Sequence, residues 1–183
     1  DSQIHLIQAK VNYSPLLNST FYGYLMDFED LAAWSNQTYG LRLTGKKNNF
    51  RYVAEYAKQS EYADQPTNYD ADYYALELGY GITDKGSALG EIALGYEVLG
   101  SDAGKIAFQT PLATKHKFNG WADLFLTTPV NGLTDLYISS NFNVFGKGKL
   151  STELHQYRSD VKNMDYGQEF SVSYSHALPV KGL

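Results

Sequence analysis

Cysteine is absent from the 183 residues, which excludes disulfides and thiolate metal sites. Basic residues are few: 15 lysines and arginines stand against 20 acidic residues, giving a net charge of −5. That balance argues against nucleic acid as a partner, because nucleic-acid binding requires a basic surface. The chain also has no run near the roughly 20 apolar residues that a membrane-spanning helix needs. Its mean hydropathy of −0.38 does not exclude a membrane, because transmembrane strands alternate apolar and polar residues.

Tyrosine and glycine are abundant, at 16 residues each, with nine phenylalanines. This composition suits β-strands and tight turns better than helices. A period-two alternation recurs along the chain and predicts nine strands. Their expected ranges are 3–13, 19–28, 37–46, 49–59, 70–82, 87–99, 133–145, 148–158 and 167–178. The only helical candidates are two short segments, 27–34 and 118–126.

Each predicted strand has one apolar parity and one polar parity. The pattern is clearest at Ala71–Gly100, where Leu76, Leu78 and Leu94 alternate with Glu77 and Glu91. In the second strand the apolar parity is assigned to Tyr22, Tyr24, Met26 and Phe28, which leaves Asp27 on the polar parity. If the apolar side meets lipid, the polar side lines a pore. The predicted pore-lining residues are Lys10, Asp27, Arg42, Arg51, Glu55, Glu77, Glu91, Glu97, Asp135, Glu153, His155 and Glu169.

Short and long connections alternate strictly along the chain. The long ones are 29–36, 60–69, 100–132 and 159–166, and the others are short turns. Outer-membrane barrels have short turns on one rim and long loops on the other, with tilted strands of about 9–11 residues. We therefore predict an all-β fold, an antiparallel up-and-down transmembrane β-barrel. Residues 1–183 would form one segment of a larger barrel, with further strands before and after it.

The segment Ala107–Ser139 resembles the bacterial outer-membrane alginate export (porin-like) family, through "HKFNGWAD" and "TPVNGLTDLY". Four further stretches are similar to that family: "QTYGLRLTG", "YVAEYAKQS", "YDADYYALELGY" and "DYGQEFSVSYS". The resemblance implies a β-barrel in the outer membrane of a Gram-negative bacterium, in contact with lipid and lipopolysaccharide. It also implies transport of an acidic polysaccharide.

The predicted pore wall departs from that last implication. A channel for a polyanion should carry arginine and lysine, whereas the predicted wall is mostly acidic. The expected solute is therefore a small hydrophilic or saccharide molecule that is neutral or cationic, and it diffuses passively. No cofactor is expected.

The long loop 100–132 exceeds the length that structureless connections usually reach, so it should fold compactly or have a role. It combines basic and aromatic residues, which suit acidic groups and sugar rings. The predicted constriction or ligand residues are Lys105, Lys115, His116, Lys117, Phe118, Trp121 and Asp123. Two interpretations remain open here, a loop folded into the pore mouth and a cap packed on the rim.

Two other functional classes remain as alternatives. One is a soluble β-sandwich or lipocalin-like module that binds carbohydrate through the long loop. The other is an enzyme inside a barrel that uses paired carboxylates such as Glu77 and Glu91, although acids paired with Arg42 or Arg51 explain the pattern better. No nucleophile or phosphate-binding motif occurs, so an enzyme is not expected.

Metal binding is not expected either. The four histidines lack the spacing of a zinc helix. Two acidic groups lack EF-hand spacing, and solvated loop acids explain them better. Those groups are Asp64, Asp70 and Asp72, and Asp27, Glu29 and Asp30.

Overall fold

A computed structural model describes residues 1–113, 116, 118–146 and 148–177. It contains nine strands and one short 3₁₀ helix, Glu29–Trp34. The strands are β1 Ser2–Ser14, β2 Leu17–Phe28, β3 Asn36–Lys47, β4 Phe50–Glu61, β5 Asp70–Asp84, β6 Ser87–Leu99, β7 Leu133–Val144, β8 Gly148–Arg158 and β9 Asp165–His176. The predicted strands are confirmed to within two residues at each end that the structure describes. The helical candidate at 27–34 matches the 3₁₀ helix, whereas 118–126 forms no helix.

All nine strands belong to one antiparallel sheet in chain order, from β1 to β9. Every strand pairs with its neighbours in sequence, which is the predicted meander. Among the described residues, β1 and β9 do not pair with each other, so the sheet is open and has two edges. No helix in the described part of the chain is long and apolar enough to cross a membrane.

Short and long connections alternate as predicted. Two residues join β1 to β2, β3 to β4 and β5 to β6, and three residues join β7 to β8. In the β5–β6 turn, Lys85 and Gly86 have φ angles of 45° and 83°. Positive φ at both central positions matches the right-handed twist of a hairpin, and glycine reaches it without steric cost. The four longer connections lie together at the opposite end of the strands.

The register gives the sheet two chemically distinct faces. One face, here called the polar face, carries Arg42, Glu55, Glu77, Glu97 and the other polar residues brought into register with them. The opposite face, here called the apolar face, carries the large side chains of the other parity. Representative members are Ile7, Leu41, Tyr56, Leu78, Leu94, Ile138, Leu154 and Phe170.

The assignment of faces in β2 is wrong in the sequence prediction. Tyr22 lies opposite Gly40 and Tyr24 lies opposite Thr38, so both tyrosines belong to the polar face. Asp27 lies opposite Gln3, in register with the apolar parity of β1, and its carboxylate is 3.5 Å from the Ser35 hydroxyl. Asp27 is therefore excluded from the polar face. Apolar side chains occupy both parities of β2, so the sequence of this strand alone does not show which parity belongs to which face of the sheet.

Candidate functional site

Three strands of the polar face are joined around Glu55. The Arg42 guanidinium on β3 forms an ion pair with Glu55 on β4. Tyr22 on β2 donates a hydrogen bond to the other carboxylate oxygen at 2.7 Å. Both oxygens are thus satisfied, as a partly buried carboxylate requires.

A second group centres on Arg51 of β4. Its guanidinium pairs with Glu77 on β5 and with Glu91 on β6, the latter at 2.7 Å. Tyr137 on β7 donates to the second oxygen of Glu77 at 2.6 Å. Glu77 and Glu91 therefore share one arginine, as expected for structural acids on this face.

Glycines allow these side chains to reach across a whole strand. Tyr137 crosses β6 at Gly95, where a Cβ atom would lie 2.0 Å from the ring. Tyr22 crosses β3 at Gly40, where a Cβ atom would lie 2.2 Å from the tyrosine ring. Arg51 crosses β5 at Gly79, where a Cβ atom would lie 2.8 Å from the arginine side chain. Each crossing side chain ends on a carboxylate two strands away. The glycines are thus needed because the crossing side chains lie directly on the backbone of the strand between. These crossings join the side chains of the polar face into a continuous layer.

The most buried polar group lies on β7 and β8. The Asp135 side chain is 0% exposed and both its oxygens lie 2.9 Å from Nδ1 of His155. Nε2 of His155 lies 3.3 Å from Glu153. The imidazole stacks between Tyr137 and Tyr157, with ring centroids at 5.3 and 5.4 Å. A protonated ring would donate to both carboxylates, so its one positive charge would be shared between the buried Asp135 and the partly exposed Glu153.

The first half of the long loop packs on β4 and β5. Gln59 accepts the backbone N–H of Gln109 at 2.8 Å and donates to its carbonyl at 2.9 Å. Phe108 packs on Tyr73, with ring centroids 5.3 Å apart. Tyr69, just before β5, donates to Gln59 at 3.3 Å, and burial raises the pKa of its phenol above the ordinary value. This neutral network fixes the loop to the end of the polar face.

The second half of the loop packs on β6, β8 and β9. Asn119 donates to Glu97 at 2.7 Å, and its carbonyl accepts from Tyr157 at 2.9 Å. Glu169 accepts the backbone N–H groups of Trp121 and Ala122 at 2.6 and 3.1 Å. The loop therefore lies across the polar face rather than beside it.

The predicted loop residues have different roles. Phe118 lines both cavities described below, and Trp121 acts through its backbone. His116 and Asp123 bind each other, with Nδ1 of the histidine 3.1 Å from the carboxylate. Lys105 is exposed and lies 3.7 Å from Asp102. The predictions for Lys115 and Lys117 fall outside the described residues.

The remaining predicted pore-lining residues lie on the polar face, with Asp27 the exception. Lys10 sits on the exposed edge strand β1, opposite Thr20. The sequence prediction missed four phenols of this layer: Tyr22, Tyr73, Tyr137 and Tyr157 each donate to a carboxylate. Their glutamate partners lie on the polar parity one or two strands away, so the pairs can be recognised only once the register is known.

Two cavities separate the loop from the sheet. The larger, about 350 Å³, lies between the loop and the first strands and is lined by Tyr22, Tyr24, Arg42, Phe108 and Phe118, among others. The smaller, about 200 Å³, lies over β5 to β8 and is mostly polar, with Glu77, Glu97, Asp135, Tyr137 and His155 in its wall. The covering by the loop thus leaves spaces large enough for a small solute.

The apolar face is covered by nothing in the described chain. Leu78 is 65% exposed and Phe170 is 69% exposed, and large exposed side chains occur on this face in all nine strands. Meanwhile Asp135, His155 and Glu169 on the polar face are buried. This distribution is the reverse of an ordinary soluble domain.

No group of three or more potential ligands suited to a metal ion occurs among the described residues. Of the acids considered for calcium, Asp70 pairs with Lys58 at 3.1 Å and Asp72 accepts a hydrogen bond from Tyr56 at 2.8 Å. Comparisons with protein-family models, curated proteins and solved structures find no match to this chain.

Replacing Glu169 by alanine is expected to release the second half of the loop. Charge-assisted hydrogen bonds contribute about 1.5–3 kcal/mol, so hydrogen-exchange protection at Trp121 and Ala122 should fall roughly 10- to 100-fold. Glu153→Ala, which removes a carboxylate from the same face without touching the loop, is the control. Unchanged protection in Glu169→Ala would refute this role of Glu169.

Proposed function

We propose that this chain forms part of the wall of an outer-membrane, porin-like channel through which small hydrophilic or saccharide solutes diffuse passively. One observation carries the proposal: an apolar face exposed across nine strands, backed by a partly buried polar face whose charged side chains are joined by ion pairs. In water the exposed face would be unfavourable, because apolar surface is driven out of contact with water. Against lipid it is favourable, and the polar face then meets an aqueous lumen.

The open edges extend this proposal. In hydrocarbon, the unpaired N–H and C=O groups at the free edges of β1 and β9 would each cost several kcal/mol. We therefore propose that further strands of the same barrel pair with both edges. The partners of the closed structure would be outer-membrane lipid and lipopolysaccharide, as the resemblance to the alginate export family also suggests.

The long loop would narrow the lumen, since it lies across the polar face and is fixed to it at Gln59, Glu97 and Glu169. Acidic residues exceed basic ones on this face, so the lumen would favour cations and neutral solutes over anions. Export of an acidic polysaccharide fits this wall poorly.

Replacing Glu91 by lysine is expected to shift selectivity toward anions, because it replaces a negative charge beside Arg51 by a positive one. The measurement is the reversal potential of the full-length channel in a planar bilayer under a salt gradient. Glu91→Gln, with half the charge change, should give an intermediate shift. An unchanged reversal potential in both variants would mean that Glu91 does not face the conducting path.

A soluble carbohydrate-binding module is the second candidate, favoured by the cavity of about 350 Å³ beneath the loop. The two candidates differ in their need for detergent. A folded protein that stays monodisperse in buffer alone would refute the channel.

A further inference from the structure

We infer that the larger cavity, between β2, β3 and the long loop, binds one or two rings of a neutral saccharide. This inference rests on the proposed function, for which it names the solute class. Its volume of about 350 Å³ lies at the lower end of the range for small-molecule sites.

Aromatic surfaces form two sides of this cavity. The rings of Tyr22 and Tyr24 on β2 stack on each other, with ring centroids 5.1 Å apart and an angle of 25° between the ring planes. Phe108 of the loop, held against Tyr73, lies in the facing wall, together with Phe118. Flat apolar rings with polar tips suit the C–H faces of a sugar.

Polar groups in the same wall are available for hydroxyl groups. Thr38, Arg42, Glu55 and Asn119 line the cavity and offer both donors and acceptors. The Tyr24 hydroxyl also points to this role, because it has no hydrogen-bond partner among the described residues, whereas Tyr22 donates to Glu55. Such a combination of apolar walls and a few fixed polar groups is typical of ligand sites.

The charges of the wall select against acidic sugars. The charge of Arg42 is compensated by Glu55, with which it forms an ion pair. Glu97, also in the wall, adds a carboxylate without a basic partner among the described residues, since it is hydrogen-bonded by Tyr73 and Asn119. Among the described wall residues, a uronate would meet two carboxyl groups and one guanidinium that is already paired with Glu55, so it would find no free cation, whereas a neutral ring needs none.

The test uses the full-length protein in a sugar-free detergent and isothermal titration calorimetry with galactobiose and digalacturonate, both α-1,4-linked, which differ only in carrying a hydroxymethyl group or a carboxylate at C6. We expect saturable binding of galactobiose and at least tenfold weaker binding of digalacturonate. Tyr24→Ala should weaken galactobiose binding about five- to tenfold, and Tyr24→Phe by less. Tyr39→Ala, on the apolar face of the adjacent strand, should leave the affinity unchanged.

Three results would overturn the inference: no binding of galactobiose, equal or tighter binding of digalacturonate, or an unchanged affinity in Tyr24→Ala. Conductance of the same preparation in a planar bilayer separates this inference from the channel. Conductance without galactobiose binding refutes the saccharide site alone. Galactobiose binding without conductance refutes the channel alone.

Discussion

Leu78→Arg is expected to destabilise the proposed barrel in lipid by about 2–4 kcal/mol, the usual cost of a cation at the centre of a lipid-facing strand. Leu78 lies near the middle of β5, on the apolar face, and is 65% exposed. In water, an arginine at so exposed a position would cost little. The large effect is therefore specific to contact with hydrocarbon.

The measurement is urea-induced unfolding from lipid vesicles, followed by tryptophan fluorescence. Ser139→Arg is the matched control, because Ser139 lies on the polar face of β7, in the wall of the smaller cavity of about 200 Å³. The control should lose less than about 1 kcal/mol, since a charged side chain is tolerated in a wetted lumen. Equal losses in the two variants would contradict the assignment of faces.

Gly95→Ala is expected to cost about 2–4 kcal/mol, much more than a methyl group on a strand normally does. The new Cβ atom would lie 2.0 Å from the ring of Tyr137, which must then move away. Its hydrogen bond to Glu77 is lost with it, leaving a partly buried carboxylate oxygen without that donor. Steric overlap and an unmade hydrogen bond each contribute about 1–3 kcal/mol.

Gly81→Ala is the control for this substitution, because Gly81 belongs to the same face and a Cβ atom there would meet nothing closer than 3.6 Å. A double-mutant cycle with Tyr137→Ala separates the two contributions. If the ring is the cause, Gly95→Ala should cost little once Tyr137 is absent. A full cost in the Tyr137→Ala background would refute the crossing as the reason for glycine.

Much of the fold could be predicted from local pattern. In the central parts of β5 and β6, alternation is strict and the large aliphatic residues occupy one parity only, so strands, turn and faces were all predictable. In β2, Phe21 and Leu25 compete with Tyr22, Tyr24 and Met26. In β2, tertiary contacts determine which parity lies on the polar face. These contacts are the Tyr22–Glu55 hydrogen bond and the space above Gly40 that the Tyr22 ring occupies. Alternation within one strand carries no information about either.

The sequence predicts which residues of the site share one face of the sheet, but not which of them contact each other. Pairing of Arg51 with Glu77 and Glu91 depends on the register of three strands, and the role of Gly79 depends on the side chain that crosses it. The docking of the loop joins residues 47 and 48 positions apart, Ala122 and Trp121 with Glu169. Length and composition marked the loop as important, but no local signal named the carboxylate that holds it.

The most direct test of the central proposal, a sheet with lipid on one side and water on the other, uses the absence of cysteine from these 183 residues. Single cysteines at Leu76, Leu78 and Leu94, and at Ala75 and Ser139, can carry nitroxide labels in the full-length protein in bilayers. Electron paramagnetic resonance then compares collision with oxygen, which concentrates in lipid, and with a water-soluble nickel chelate. The proposal predicts that the three leucine positions favour oxygen and the other two favour nickel. Leucine positions that are shielded from both reagents, or that favour nickel, would contradict it.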